Sequence, residues 1–233
     1  MKVFLAGATG VVGRRLTVLL RQAGHEVAGT TRSEAKAAAL RAIGAVPILV
    51  DAYDADKLKL AVYAVQPDVI IHQLTDLPQA IDPKSLPRAL EANARLRIIG
   101  TRNLVDAALT NNVPRVIAQS IAFAYAPDEG PLTEDHPIDP AQTGVIALEQ
   151  AVTDTPGIAG MVLRYGRFYG PGTWTDQPNG AAPLHVDAAA QAALLALSKG
   201  RPGIYNIAED DGAVSSEKAR RELGFDASFR MNP

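Results

Sequence analysis

The chain exchanges short apolar runs for longer stretches in which apolar residues recur once per helical turn. Val3-Phe4-Leu5-Ala6 is a run of the kind that makes a buried strand, and beyond it Val12, Leu16, Leu19 and Leu20 share one helical face. Gly24 closes that helix. The exchange then repeats. Strands are predicted over 26–30, 46–50, 68–72 and 115–118; between them lie a helix capped by Ser33 and ended by Gly44, a helix over 56–65, and a long helix from about 86 to 110. Parallel neighbours in a sheet need a crossover between them, so this alternation predicts an α/β fold: a doubly wound parallel sheet with helices on both faces.

From 126 to 142 Pro, Asp, Glu and Gly concentrate, which predicts a long loop over the functional edge of the sheet. The alternation then loosens. A strand is expected over 161–163, a turn at Gly170-Pro171-Gly172, a polar connection over 176–183, an alanine-rich helix over 186–198, a strand over 204–207 and a short helix over 215–223. The expected division is a nucleotide-binding unit over 1–165 and a small, reduced C-terminal substrate lobe over 166–233 packed on it.

Bulk properties narrow the function. A chain of 233 residues, 47% hydrophobic and 21% charged, builds an ordinary core, and a net charge of -2 offers no field to recruit nucleic acid. The absence of cysteine excludes disulfides and thiolate chemistry and fits a reducing cytoplasm. His25, His72, His136 and His185 lack metal-ligand spacing, so no metal is expected. No run approaches the roughly 20 apolar residues of a membrane helix. The apolar N-terminus is broken by Gly7, Gly10 and Gly13 and reads as strand and turn, not as a signal peptide. These features predict a soluble cytoplasmic protein that handles a small molecule, with no nucleic-acid or membrane partner.

The strongest chemical signal is Gly7-Ala8-Thr9-Gly10-Val11-Val12-Gly13, lying after the first strand and opening the first helix. Glycines there allow a tight turn, let backbone approach a pyrophosphate and let helix pack on strand, while the helix start supplies free N–H groups. A further strand follows roughly 20 residues on, as a Rossmann-type dinucleotide site requires. Gly7, Thr9, Gly10, Val11, Val12 and Gly13 are therefore assigned to the cofactor. At the tip of the second strand, where NAD enzymes carry an acid for the ribose hydroxyl, the chain has Thr30-Thr31-Arg32-Ser33. Arg32 and Ser33 can receive a 2'-phosphate, which favours NADP over NAD; the alternative is that Arg32 is a solvated charge.

Taken together these residues resemble the extended and atypical short-chain dehydrogenase/reductases, the NAD(P)-dependent epimerase/dehydratase-like group. The resemblance includes Asp51-Ala52 after strand three, His72-Gln73-Leu74-Thr75 after strand four, Asn93 with Gly100-Thr101-Arg102-Asn103-Leu104, the stretch from Leu163 through Arg164, Tyr165, Arg167 and Phe168 to Gly172, and Leu184-His185-Val186-Asp187. It implies adenine contacts at Asp51 and Ala52, ribose contacts at Gln73, Leu74 and Thr75, and further cofactor contacts at Asn93, Gln119, Tyr165 and Phe168.

The family's proton-transfer pair, a tyrosine one helical turn before a lysine whose charge lowers the phenol's pKa, is missing. Aligning Gly144 with the family glycine puts Thr143 and Ala147 at the two positions; aligning Glu149 puts Ala141 and Val145 there. No lysine occurs from Ser85 through Ser198. The one literal match, Tyr53-Asp54-Ala55-Asp56-Lys57, follows strand three at the adenine end and reads as a turn into a helix capped by Asp54. The remaining catalytic candidates are Ser120, at the end of strand five, and Tyr165. Tyr125 and Tyr169 are further phenols near the nicotinamide edge, and His185 is a pocket or structural histidine. Arg164 and Arg167 either orient an anionic group or form structural ion pairs.

Two functions stay open. One is an NADP-dependent oxidoreductase or epimerase-like enzyme acting on a small carbonyl or sugar-like substrate through a non-standard site. The other is a non-catalytic NADP(H)-binding sensor or scaffold. The long helix near 86–110 either pairs with a copy of itself in a homodimer or belongs to the core.

Overall fold

The computed structural model of the chain describes residues 1–78, Ala80 and 82–231. Its first half runs β1 (Lys2–Ala6), α1 (Val11–Gln22), β2 (Glu26–Thr31), α2 (Glu34–Ala42), β3 (Val46–Leu49), α3 (Ala55–Val65) and β4 (Val69–His72). The predicted long helix follows as α4 (Leu86–Arg95) and α5 (Thr101–Thr110), joined through a π-helical turn at Leu96–Gly100. Then come β5 (Arg115–Ile121), α6 (Thr143–Thr153), β6 (Ala159–Tyr165), β7 (Arg167–Tyr169), β8 (Pro183–His185), α7 (Val186–Leu195), β9 (Gly203–Ile207) and α8 (Glu217–Leu223).

Seven strands form one parallel sheet in the order β3-β2-β1-β4-β5-β6-β9. The chain lays down β1, β2 and β3 in one direction, then returns to the other side of β1 for β4, β5 and β6. Strand order reverses between β1 and β4, and ligands of open α/β sheets bind at such a reversal, beyond the carboxyl ends of the strands. The Rossmann-type α/β fold read from the sequence is the fold observed.

Both faces of the sheet are covered, which is why the strands read as unbroken apolar runs. Successive side chains point to opposite faces. Val3, Leu5, Ile71, Ile117 and Leu163 join Leu16, Leu20 and the small residues of α7 on one side. Phe4, Ile70, Val116 and Val162 join Leu58, Leu104 and Leu148 on the other. Alanines at 188, 189, 190, 192 and 193 are fully buried and let α7 lie close to the sheet and to α1.

β9 pairs with β6 from Met161↔Gly203 to Tyr165↔Ile207 and extends the main sheet with residues that follow 165. β7 and β8 form a separate parallel pair that the sequence did not reveal, because each has only three residues. Asp54 caps α3 by accepting from the Lys57 N–H at 3.1 Å, as read for the Tyr53–Lys57 stretch. Ser33 stands at the cap of α2 without a side-chain bond to the helix.

Candidate functional site

The turn between β1 and α1 is shaped by what a side chain would strike. Gly7 has φ +90°, and a Cβ there would lie 2.6 Å from the Gln73 carbonyl oxygen; a Cβ on Gly13 would collide with the Gly7 carbonyl oxygen. β1, α1 and β4 therefore approach more closely than any residue but glycine permits. The Gly7 N–H donates to Thr30 Oγ1 at 3.1 Å and the Gly10 N–H to the Gly7 carbonyl at 3.0 Å, fixing the turn with Thr9 at its crest. Gly10 caps α1 in extended conformation with no side chain over the helix end. The first-turn amides at Val11, Val12 and Gly13 have no intrahelical acceptor, and the helix dipole adds positive potential there. That is a cradle for a diphosphate.

The far end of the crevice is built from β2, β3 and the β4 exit. Asn103 on α5 donates to the Ala52 carbonyl at 2.8 Å, and Asp51 accepts from the Tyr53 N–H at 3.0 Å, so the Asp51-Ala52 turn is held in place. The Arg95 guanidinium lies 5.3 Å from the Tyr53 ring centroid. Arg32 projects from the end of β2, 62% exposed, with its guanidinium 3.8 Å from the Asp76 carboxylate. Asn93, nearly buried, accepts from the Asp76 N–H at 2.9 Å and so positions Arg32's partner. Ser33 stays beside Arg32, its N–H bonded to Thr31 Oγ1.

Between these ends, β4 delivers His72, Gln73, Leu74 and Thr75. His72 is buried; Nδ1 accepts from the Leu74 N–H at 3.1 Å, so the proton sits on Nε2, 3.0 Å from Thr101 Oγ1. Burial, then the charge of Arg97, depresses its pKa to about 4, which keeps it neutral. Gln73 Nε2 donates to the Tyr165 hydroxyl at 3.3 Å, whereas Gln73 Oε1 is buried with no partner. A buried acceptor without a donor is costly, and a ligand amide or hydroxyl would satisfy it. The glycine cradle and this orphaned oxygen both fit a nicotinamide dinucleotide laid along the crevice. Tyr165 is fully buried, its ring centroid 5.5 Å from that of Phe168, and burial pushes its phenol well above the ordinary value. It stays protonated and cannot serve as a base. Gln119 lies buried on β5, paired with Leu163 of β6.

The corner where β5, α6 and β6 meet is wired shut. Ser120 was expected at the reactive edge, but its side chain is fully buried and donates to Glu149 Oε1 at 2.7 Å. Arg164 grips the same carboxylate through Nε and Nη2 at 2.9 and 2.7 Å, so of the two roles open to it the structural ion pair is the one observed. Its remaining donor reaches the Tyr125 hydroxyl at 2.7 Å, which in turn donates to Asn206 Oδ1 at 2.7 Å. Tyr169 is likewise engaged, donating to Glu209 and accepting from Arg230. His185 is structural: its Nδ1 accepts from the Asp187 N–H at 3.2 Å and caps α7. Of the residues that the two registers put forward, Thr143 and Ala141 are exposed, Ala147 is half-buried and Val145 is buried. None of these four can exchange a proton through its side chain at neutral pH.

Glu149, Asn206 and Asp76 escaped the sequence reading, as did Trp174. The Trp174 indole N–H donates to the Pro78 carbonyl at 2.9 Å, tying the loop after β7 to the loop after β4. The same loop is pinned to the cradle by Arg15 of α1, which donates to the Pro171 carbonyl and pairs with Asp187. Among the described residues no group of His, Asp and Glu is arranged to hold a metal, and no helix is long and apolar enough to cross a membrane.

Comparison with known proteins agrees with this anatomy. The chain is 36% identical over 245 residues to a Streptomyces protein described as 3-diazoavenalumate denitrifying reductase, covering 93% of this chain and 79% of that one. It is 25% identical over 225 residues to protein YeeZ of Escherichia coli K12, covering 88% and 77%. Among solved structures, the UDP-glucose 4-epimerase of Thermotoga maritima with UDP-glucose superposes with a TM-score of 0.79 at 18% identity, covering 99% of this chain and 94% of that one. DesIV, the dTDP-glucose 4,6-dehydratase of Streptomyces venezuelae, gives 0.79 at 20% identity, covering 99% and 93%. Residues 3–184 match the NAD dependent epimerase/dehydratase family. The chain belongs to that family.

Proposed function

We propose that the protein is an NADP-dependent reductase that delivers hydride to a small electrophile whose reduction needs no proton from the enzyme. The observation that carries this reading is the contrast between an open diphosphate cradle at Gly7–Gly13 and a corner in which Ser120, Arg164 and Tyr125 are all engaged through Glu149 and Asn206. Reduced nicotinamide supplies a hydride when bound, and the chain's own residues hold it: the amides at Val11, Val12 and Gly13 for the diphosphate, Arg32 and Ser33 for a 2'-phosphate, Gln73 and Tyr165 beside the ring.

Reducing a carbonyl leaves an alkoxide that has to be protonated, and the family meets that need with its tyrosine and lysine. An arenediazonium makes no such demand. Hydride adds to its terminal nitrogen and neutralises the cation, giving an aryldiazene; water takes the N–H proton as dinitrogen leaves and returns a proton to the ring carbon. One hydride enters, one dinitrogen leaves, the proton given up equals the proton taken back, and no side chain has to act as the acid. The Streptomyces relative, which by its name is a reductase that removes nitrogen from a diazo compound, supports this substrate class.

The test is oxidation of NADPH by the purified protein against matched panels of carbonyl compounds and arenediazonium ions, measured above the uncatalysed rate. The expected result is turnover with a diazonium, with one NADPH oxidised for each dinitrogen released and the arene as product. Turnover with carbonyls alone would overturn the substrate class. Tight NADPH binding with no oxidation on either panel would replace the reductase by a nucleotide sensor, the reading that the missing tyrosine and lysine also favour.

A further inference from the structure

β5 and β6 leave the sheet in register, Ile121 beside Tyr165, and the chain just beyond each carries an exposed side chain, Phe123 and Arg167. Arg167 stacks on Phe123, its guanidinium carbon 4.2 Å from the ring centroid, and both residues are exposed. A Cβ at Gly180 would lie 3.2 Å from Arg167 Cδ, so the glycine leaves room for the stem, and the Arg167 backbone N–H donates to the Ala182 carbonyl at 2.7 Å and fixes the main chain there. Arg15, Arg115, Arg164, Arg220 and Arg230 all donate to protein oxygens. Among the described residues no carboxylate comes within ion-pair distance of Arg167.

We infer that Arg167 is the specificity residue of the substrate cleft and recognises a carboxylate carried on a small planar, conjugated substrate. Its placement, two residues beyond Tyr165 at the carboxyl edge of the sheet, puts it on the far side of the nicotinamide end from the cradle. A guanidinium presents a planar fork that takes a carboxylate with two parallel hydrogen bonds, and stacking on an aromatic ring holds that fork at fixed orientation before ligand arrives. Phe123 and Phe168 give the surroundings flat apolar surface, which suits an aromatic or polyene body better than a sugar. One guanidinium matches one negative charge. This inference rests on the reductase reading of the same cleft and adds to it the handle by which substrate is oriented.

The test uses binding rather than turnover, with the NADP-loaded protein and calorimetry. Cinnamate is the probe and cinnamamide, its neutral isostere, the control. Cinnamate is expected to bind saturably and about tenfold or more tighter than cinnamamide, the span of a charge-assisted hydrogen-bonded pair. Arg167→Leu is expected to erase that preference and Arg167→Lys to keep part of it, with NADP affinity unchanged in both. Phe123→Leu should weaken cinnamate severalfold by freeing the guanidinium. No saturable binding of cinnamate to the wild-type protein, or an undiminished preference in Arg167→Leu, overturns the inference. Tighter binding of phenyl phosphate than of cinnamate overturns the carboxylate in favour of a phosphate. The two readings separate cleanly: carboxylate preference without NADPH oxidation sinks the reductase, whereas NADPH oxidation without carboxylate preference sinks the role of Arg167.

Discussion

The crevice at the ends of β1 and β4 and the corner of β5, α6 and β6 lie in one sheet and treat polar groups in opposite ways. In the crevice, donors and acceptors are held open: the first amides of α1 have no side chain over them, and Gln73 Oε1 is buried without a partner. In the corner, every donor is consumed. Ser120, Arg164 and Tyr125 converge on Glu149 and Asn206, with the Arg164 and Glu149 side chains only 4% and 7% exposed. Open groups meet a ligand, and closed ones hold strands together. The difference teaches that one sheet can leave polar groups open along its crevice while the neighbouring corner uses its own to tie β5, α6 and β6 together.

The largest effect should come from cutting the closed network. Glu149→Ala leaves Arg164 buried and uncompensated, and losing one partner of a buried pair costs about 3–5 kcal/mol. The expected outcome is a large fall in unfolding free energy by denaturant titration, with the NADPH affinity of the surviving folded protein nearly unchanged. Replacing both partners by methionine should recover most of the stability, because a well-packed apolar pair needs no counter-charge. A collapse of NADPH affinity without loss of stability would reverse the comparison and make the corner part of the binding site.

A smaller effect is expected at the seam between the regions, where His72 spends both ring nitrogens on Leu74 and Thr101. Its folded pKa of about 4 lies below the ordinary imidazole value of 6.5, so protons bind the unfolded chain more readily. The stabilisation from the neutral ring is complete above pH 6.5, declines as pH falls from there toward 4, and is gone below it. The loss over that window is roughly 3 kcal/mol. Unfolding free energies measured across that window should fall more steeply for the wild type than for His72→Gln. Parallel curves would mean that His72 titrates normally in the fold.

What could be read from the chain alone follows the same divide. The cradle was legible because its parts are neighbours: strand, glycines and helix occupy Lys2 to Gln22, and Gly10 and Gly13 are set against Gly7 itself, although the approach of Gln73 to Gly7 is not written in that stretch. The sheet was legible because burial on both faces makes each strand a continuous apolar run. The closed corner was not, since Ser120, Glu149, Arg164 and Asn206 come from four separate elements and meet only through the β5-β6-β9 register and the packing of α6. Ser120 looked reactive because a hydroxyl at a strand end carries no mark of which face it turns to. Arg164 and Arg167 looked equivalent for a related reason. Alternation would place them on opposite sides of one strand, but a break at Gly166 ends β6 and starts β7, and only coordinates show one buried on Glu149 and the other stacked on Phe123.

The finest distinction lies inside the open region, at the Arg32–Asp76 pair, proposed above to meet the cofactor's far ribose. Arg32 is mostly exposed and sits 3.8 Å from Asp76, so its charge is shared between a protein carboxylate and any incoming 2'-phosphate. An exposed ion pair is worth at most about 1 kcal/mol, whereas a guanidinium on a phosphate makes the stronger, charge-assisted contact. Arg32→Ala should therefore weaken NADPH about tenfold and leave NADH unchanged, because NADH offers that side chain no phosphate. Asp76→Asn should tighten NADPH by a few fold at most, by releasing Arg32 from its competitor and removing a negative charge from the phosphate's surroundings. Fluorescence titration of both nucleotides against both variants and the double variant reads these effects. If Asp76→Asn strengthens NADPH only while Arg32 is present, the two residues act as one selector; an equal gain in the Arg32→Ala background would mean that Asp76 repels the phosphate on its own and that Arg32 is the solvated charge its exposure also allows.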